Sequence, residues 1–228
     1  MNNYRKIGAI GFIIAGLLNV FRIFPILFTP GVTPEQIPPH TLVDTVIISQ
    51  TSAYLISHIM ALFATPLILI GFYSLFKDIK PSENSKAVQV GLLGLIGLFI
   101  GQLFYSIGLL IDGFTLPTLT SEYIASGANE TSPIATVING IHHLAMGFAG
   151  PGFFTLVIST GILGYALFKS GFNKPFAIGA IVIGILGIVG YSIGILDILI
   201  GGSFELTYGL LTMMYIFFLS IGIYQFRS

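Results

Sequence analysis

Apolar residues run along this chain in long blocks, parted by short stretches rich in proline, glycine and charge. A block of about 20 apolar residues is the length that a helix needs to cross the hydrocarbon of a bilayer. Six helical spans are predicted on this basis, at about 7–28, 50–76, 87–114, 136–168, 175–200 and 205–226. The expected fold is all-α, a single six-helix transmembrane domain over residues 1–228. The stretch Thr29–Ser49 holds Pro30, Pro34, Pro38 and Pro39 and cannot be one continuous helix. Lys77–Lys86, Lys169–Lys174 and Gly201–Phe204 read as short turns, and Pro117–Ala135 as a polar loop carrying Glu122 and Glu130. These connections leave no room for a soluble domain. Pro66 and Pro151 fall inside spans and are expected to kink them. Pro25 is expected to bend or end the first span, and Pro175 to open the fifth in its first turn.

Composition agrees with the pattern. Mean hydropathy is +0.95 and only 8% of residues are charged, too few to solvate the surface of a soluble domain. The net charge is zero, and no basic cluster or nucleic-acid-binding motif occurs. The partner implied is therefore the lipid bilayer and not a nucleic acid. Cysteine is absent, which excludes disulfides, thiolate metal ligands, iron–sulfur clusters and thiol nucleophiles. The first apolar block passes through Phe28 without a small-residue cleavage site, so it reads as a retained helix.

Charge placement predicts the orientation. Of nine Lys and Arg, only Arg22 falls toward one side; Arg5, Lys6, Lys77, Lys80, Lys86, Lys169, Lys174 and Arg227 fall on the other. The positive-inside rule makes the richer side cytoplasmic and puts both termini there. The preference for Ile, Phe and Lys over Arg suggests an AT-rich prokaryotic genome, hence a prokaryotic plasma membrane.

Spans 2–3 resemble spans 4–5 at a constant offset, since 143 − 58 = 85. Thr51 maps to Thr136, His58 to His143, Phe63 to Phe148, Ala64 to Ala149, Pro66 to Pro151 and Asp112 to Asp197. Each even span thus carries His-x4-Phe-Ala-x-Pro. Both copies start on the same side, so the expected relation is a parallel repeat about an axis near the membrane normal.

Helical spacing of 100° per residue then assigns faces. Span 2 carries Thr51, Tyr54, His58 and Thr65 on one stripe, and span 4 carries Thr136, Asn139, His143, Gly147 and Gly150. Span 3 lines up Gly94, Gly101, Tyr105 and Asp112, and span 5 lines up Gly179, Gly187, Gly190, Gly194 and Asp197. Small-residue stripes let helices approach closely in lipid, so these faces are expected to point inward. His58, Asp112, His143 and Asp197 all count to a similar level near the outer edge of the hydrocarbon, at about 1.5 Å per residue.

Ionisable side chains inside a membrane are expensive unless partnered, so these four are candidate site residues. Two imidazoles and two carboxylates would suit a divalent metal such as zinc, manganese or ferrous iron. His58 and His143 alone would suit one haem b. Arg22, Tyr54, Tyr105, Asn139, His142 and Glu205 lie near enough to be ligand-binding candidates, with Arg22 read as a counter-ion to a carboxylate and His142 as secondary. Three functions follow: a ligand-, ion- or metal-binding membrane protein; a redox or hydrolytic membrane enzyme; or an accessory subunit whose His–Asp pairs only hold helices together. No HExxH or Gly-x-Ser-x-Gly motif narrows the enzymatic case.

Overall fold

The computed structural model describes residues 3–22, 24–33, 41–79, 85–199 and 205–227, with the side chains at 85, 191, 194–199 and 205–211 outside the description. Among the described residues there are helices and no strands. They are α1 (Asn3–Phe21), α2 (Phe24–Leu27), α3 (Leu42–Ser49), α4 (Ser52–Lys77), α5 (Ser85–Leu110), a π turn (Ile111–Thr115), α6 (Leu116–Ala125), α7 (Pro133–Lys169), α8 (Lys174–Leu199) and α9 (Glu205–Arg227). Four helical stretches among the described residues are long and apolar enough to cross a membrane: Asn3–Leu27, Ser52–Lys77, Lys86–Ala125 and Pro133–Lys169. Lys174–Gly190 is a shorter apolar helix.

Local sequence sets the helix ends. Thr51 caps α4 by accepting from the Tyr54 N–H, and Ser132 caps α7 from the Ala135 N–H with Pro133 in the first turn. Gly171 ends α7 at φ +76°, with Phe172 N–H bonded back to Leu167 O and Gly171 N–H to Phe168 O. This pattern needs a left-handed residue, which glycine supplies at no steric cost. Gly127 closes α6 in the same way, with φ +62°.

Two expected loops contain helix. The proline-poor end of the first loop forms α3, started by a capping box between Thr41 and Asp44. The third span does not stop near residue 114: the helix continues through the π turn into α6 and ends at Ala125. Pro117 was expected to mark a loop. The widened π turn precedes it, and Pro117 then falls in the first turn of α6, where its missing N–H costs little.

The long helices pack as two groups. In the first, α1 lies against α4 and α9. Phe12, Phe72 and Phe218 meet at its centre, with ring centroids 4.9–5.5 Å apart. Such pairs contribute about 0.5–1.5 kcal/mol each beyond their burial. In the second group, α7 lies between α5 and α8. Small residues make this contact: a Cβ on Gly94 or Gly101 would come within 2.9 Å of the Leu163 or Leu156 backbone, and one on Gly164 within 2.6 Å of the Ala180 Cβ. Dispersion between closely approaching backbones is what holds helices together in lipid, where the hydrophobic effect gives little. A seam between α4 and α5 joins the groups, and α8 touches α9 as a second junction.

Candidate functional site

At the end of the seam away from Lys77, three helices meet on one carboxylate. Asp112 lies in the π turn, 8% exposed, and Gly113 follows it. A Cβ on Gly113 would sit 2.5 Å from the His58 Cβ, so glycine is what lets α4 bring its histidine against this turn. π turns widen a helix by one residue and redirect side chains, and here the redirected side chain is an aspartate.

Three polar groups converge on Asp112. The Tyr54 hydroxyl donates to Oδ2 at 2.5 Å. His58 Nε2 lies 3.1 Å from the same oxygen. His142 Nδ1 lies 3.2 Å from Oδ1. Tyr54 and His58 sit four residues apart on α4, one above the other, with ring centroids 4.3 Å apart. The second ring nitrogen of His58, Nδ1, is 2.9 Å from the Tyr54 carbonyl oxygen. Both His58 and Tyr54 are buried, and His142 is the partly open member of the group, its side chain 17% exposed.

This arrangement fixes a proton count. The Tyr54 carbonyl can only accept, so His58 Nδ1 carries a proton. His58 Nε2 then faces Asp112 Oδ2. A hydrogen bond there needs a proton on Nε2 or on Oδ2, giving an imidazolium–carboxylate pair or a neutral imidazole–carboxylic acid pair. Either way the pair holds one proton more than a neutral imidazole beside a carboxylate.

A second polar contact crosses the seam one to two helical turns toward the Lys77 end. Gln102 Nε2 donates to Thr65 Oγ1 at 2.8 Å, and Thr65 Oγ1 lies 3.1 Å from Ser106 Oγ. Arg22 Nη2 donates to the Tyr105 hydroxyl at 2.9 Å, tying the turn after α1 to α5. Among the described residues, Arg22 is thus tied to a phenol.

The predicted site residues are brought together only in part. Tyr54, His58, Asp112 and His142 converge, and Tyr105 and Arg22 pair with each other. His143 is exposed, makes none of the described hydrogen bonds, and has its ring centroid 6.3 Å from that of His142. Asn139 is exposed as well. The expectation that Thr136, Asn139, His143, Gly147 and Gly150 form the inward stripe of this helix is corrected: the first four are exposed and Gly150 is half-buried, and a Cβ on Gly147 would meet nothing within 4 Å among the described residues. The buried face of α7 instead runs through Ile138, Ala145 and Gly152, and His142 shares that face because it lies four residues from Ile138 and three from Ala145. The close glycine contact at this level comes from α5, where a Cβ on Gly108 would lie 2.7 Å from the Ala145 carbonyl oxygen. The side chains of Asp197 and Glu205 lie outside the described residues.

These positions bear on the cofactors considered. Of the two histidines read as a haem pair, His58 has both ring nitrogens engaged and His143 is exposed. Among the described residues, no group of three or more His, Asp or Glu side chains is placed to hold a metal ion. Sequence reading also passed over Gly113 and the π turn. The signal available was a Gly113 and a Pro117 just after Asp112 within an otherwise unbroken apolar block. No family model, curated protein or solved structure matches the chain.

Proposed function

We propose that this is a six-span plasma-membrane protein with both termini in the cytoplasm, in which the Tyr54–His58–Asp112–His142 cluster binds a proton and couples its binding to the seam between the two helical groups. The activity class is proton-coupled transport or gating. The observation that carries this is His58 lying between two acceptors, the Tyr54 carbonyl at 2.9 Å and the Asp112 carboxyl at 3.1 Å. With the extra proton in place the pair is neutral overall, the state that a low-dielectric environment favours. Without it, a carboxylate remains and α4 loses one of its two hydrogen bonds to Asp112. Protonation therefore strengthens the tie of α4 to α5 and α7 at this end of the seam.

Orientation supports the same reading. The charge asymmetry along the chain puts the cluster toward the outer face, and His142, the partly open member, is its route to water. The sequence repeat relating spans 2–3 to spans 4–5 fits a duplicated helix pair in which one copy kept the buried histidine.

The test is a titration of purified protein in detergent by infrared difference spectroscopy, from about pH 5 to about pH 8, the range in which imidazole changes charge. Wild type should show a carboxyl or imidazole band change that disappears in Asp112→Asn. Identical difference spectra for the two proteins would remove the proton reading.

A further inference from the structure

Toward the Lys77 end, no polar contact across the seam like those nearer Asp112 is found among the described residues. The seam opens there into a groove of about 320 Å³ lined by Leu69, Ile70 and Tyr73 of α4 and Leu95 and Phe99 of α5. We propose that this groove is a binding site for an anionic phospholipid, with one acyl chain in the groove and the phosphate on Lys77.

The packing explains why the groove exists. On α4, Gly71 packs against Phe12, and a Cβ on Gly11 of α1 would lie 2.7 Å from the Leu67 carbonyl oxygen, so this half of α4 is drawn toward α1. On α5, Gly94 and Gly101 press on α7, and α5 meets the end of α4 again only beyond the groove, where a Cβ on Gly91 would lie 2.5 Å from Ile79 Cδ1 and 3.3 Å from Phe76 Cδ2. The two helices remain tied nearer the other end, by Thr65, Ser106 and Gln102 and by His58 and Asp112. Pro66, one turn from Leu69, adds a break in the hydrogen-bond ladder of α4 at the edge of the gap. The result is a cleft whose wall residues Ile70, Tyr73 and Phe99 are exposed. At about 30 Å³ for a group the size of a water or a methylene, it has room for roughly ten such groups. An extended acyl chain matches that shape and chemistry.

Charge selects the headgroup. Lys77 is in the last turn of α4, four residues from Tyr73 on the same face, and its ammonium rests 5.4 Å from the centre of the Tyr73 ring. A cation and a phenol at the mouth of an apolar groove match a phosphate and the ester region beneath it, at the depth where tyrosine and lysine mark a membrane interface. The partner Asp78 offers elsewhere is Arg5, which it binds at 2.6 Å, so that carboxylate is already matched with a cation. One lysine near the surface contributes about 1 kcal/mol toward an anionic lipid, about a fivefold preference. The proposal rests on the membrane-spanning reading alone and is independent of the proton reading.

The experiment is lipid retention by native mass spectrometry, on protein exchanged from detergent into nanodiscs of phosphatidylglycerol, of phosphatidylcholine, or of an equal mixture. Wild type should retain one phosphatidylglycerol from the mixture, about fivefold over phosphatidylcholine. Lys77→Gln should abolish the preference while keeping a bound lipid. Ile70→Trp, which fills the groove from an exposed position, should remove retention of both lipids. Thermal unfolding in phosphatidylcholine should be unchanged in both variants, showing that they fold. Equal retention of the two lipids by wild type, or wild-type retention by Ile70→Trp, would overturn the proposal.

Discussion

The same short motif, His-x4-Phe-Ala-x-Pro, occurs in α4 and α7, and the two copies have different surroundings. In α4, His58 is 7% exposed and engaged at both ring nitrogens. In α7, His143 is exposed and bonded to nothing among the described residues. The alanines of the motif do behave alike: Ala64 is fully buried, and Ala149 packs against Gly108. The motif therefore marks a helix-packing position in both copies, and the histidine's environment is decided by the neighbour. His58 meets Gly113 and the π turn, whereas the histidine that α7 offers to Asp112 is His142, one residue earlier and about 100° around the helix.

The comparison breaks most completely if its hub is removed. Asp112→Ala leaves the Tyr54 hydroxyl, His58 Nε2 and His142 Nδ1 without their common partner. Removing one partner of a buried charged pair costs about 3–5 kcal/mol. Unfolding of the purified variant in mixed micelles, followed by circular dichroism, should show a loss of that size. A loss below about 1 kcal/mol would mean that solvent already satisfies these donors.

The next effect separates the two copies directly. His58→Ala leaves one oxygen of Asp112 with the tyrosine as its only described donor and costs about 1–3 kcal/mol in the same assay. If the copies were equivalent, His143→Ala would cost as much. A smaller cost for His58 than for His143 would reverse the assignment of the working histidine.

Gly113→Ala sharpens the reason for the difference. The new methyl would sit 2.5 Å from the His58 Cβ, so α4 or the turn has to move. Overpacking of this kind costs about 1–3 kcal/mol, and partial relaxation should put the variant near the lower end. The diagnostic is coupling: in a double-mutant cycle with His58→Ala, the two losses should fall short of additive, because the Cγ at 2.6 Å and the Cδ2 at 2.9 Å are removed while the Cβ stays.

How much of this was readable in the sequence depends on what encodes it. The long apolar helices are legible from block length, and their ends from local residues such as Thr51, Ser132, Gly127 and Gly171. The continuation past Asp112 was not, because Pro117 looks like a stop unless the π turn before it is known. The face of α7 was not legible either. Segments that are apolar on every side carry no amphipathic signal, so polar and glycine positions stood in for it. That substitute agrees with α5, where Gly94 and Gly101 do face a neighbour, and fails on α7, where Gly147 faces none. Asp112 was recognisable as costly and hence in need of partners. Which of two adjacent histidines would serve it depends on helix rotation, which only packing fixes.

The smallest expected effects lie on the exposed copy, and they test whether that face of α7 is idle in the isolated chain. His143→Ala removes a side chain with no described hydrogen bond, and substitutions at such positions fall within about 0.5 kcal/mol. Gly147→Ala adds a methyl into open space on a helix that gains from the exchange, since glycine costs about 0.5–1 kcal/mol relative to alanine inside a helix. The variant should therefore unfold at the same temperature as wild type or slightly above it. The control is Gly108→Ala on α5, where the same methyl would lie 2.7 Å from the Ala145 carbonyl oxygen and should destabilise. Both glycines lie near the level of the histidine cluster, so the pair differs in packing and not in depth. If Gly147→Ala instead destabilised as much as Gly108→Ala, α7 would be packed on both sides, and His143 would belong to a contact of its own.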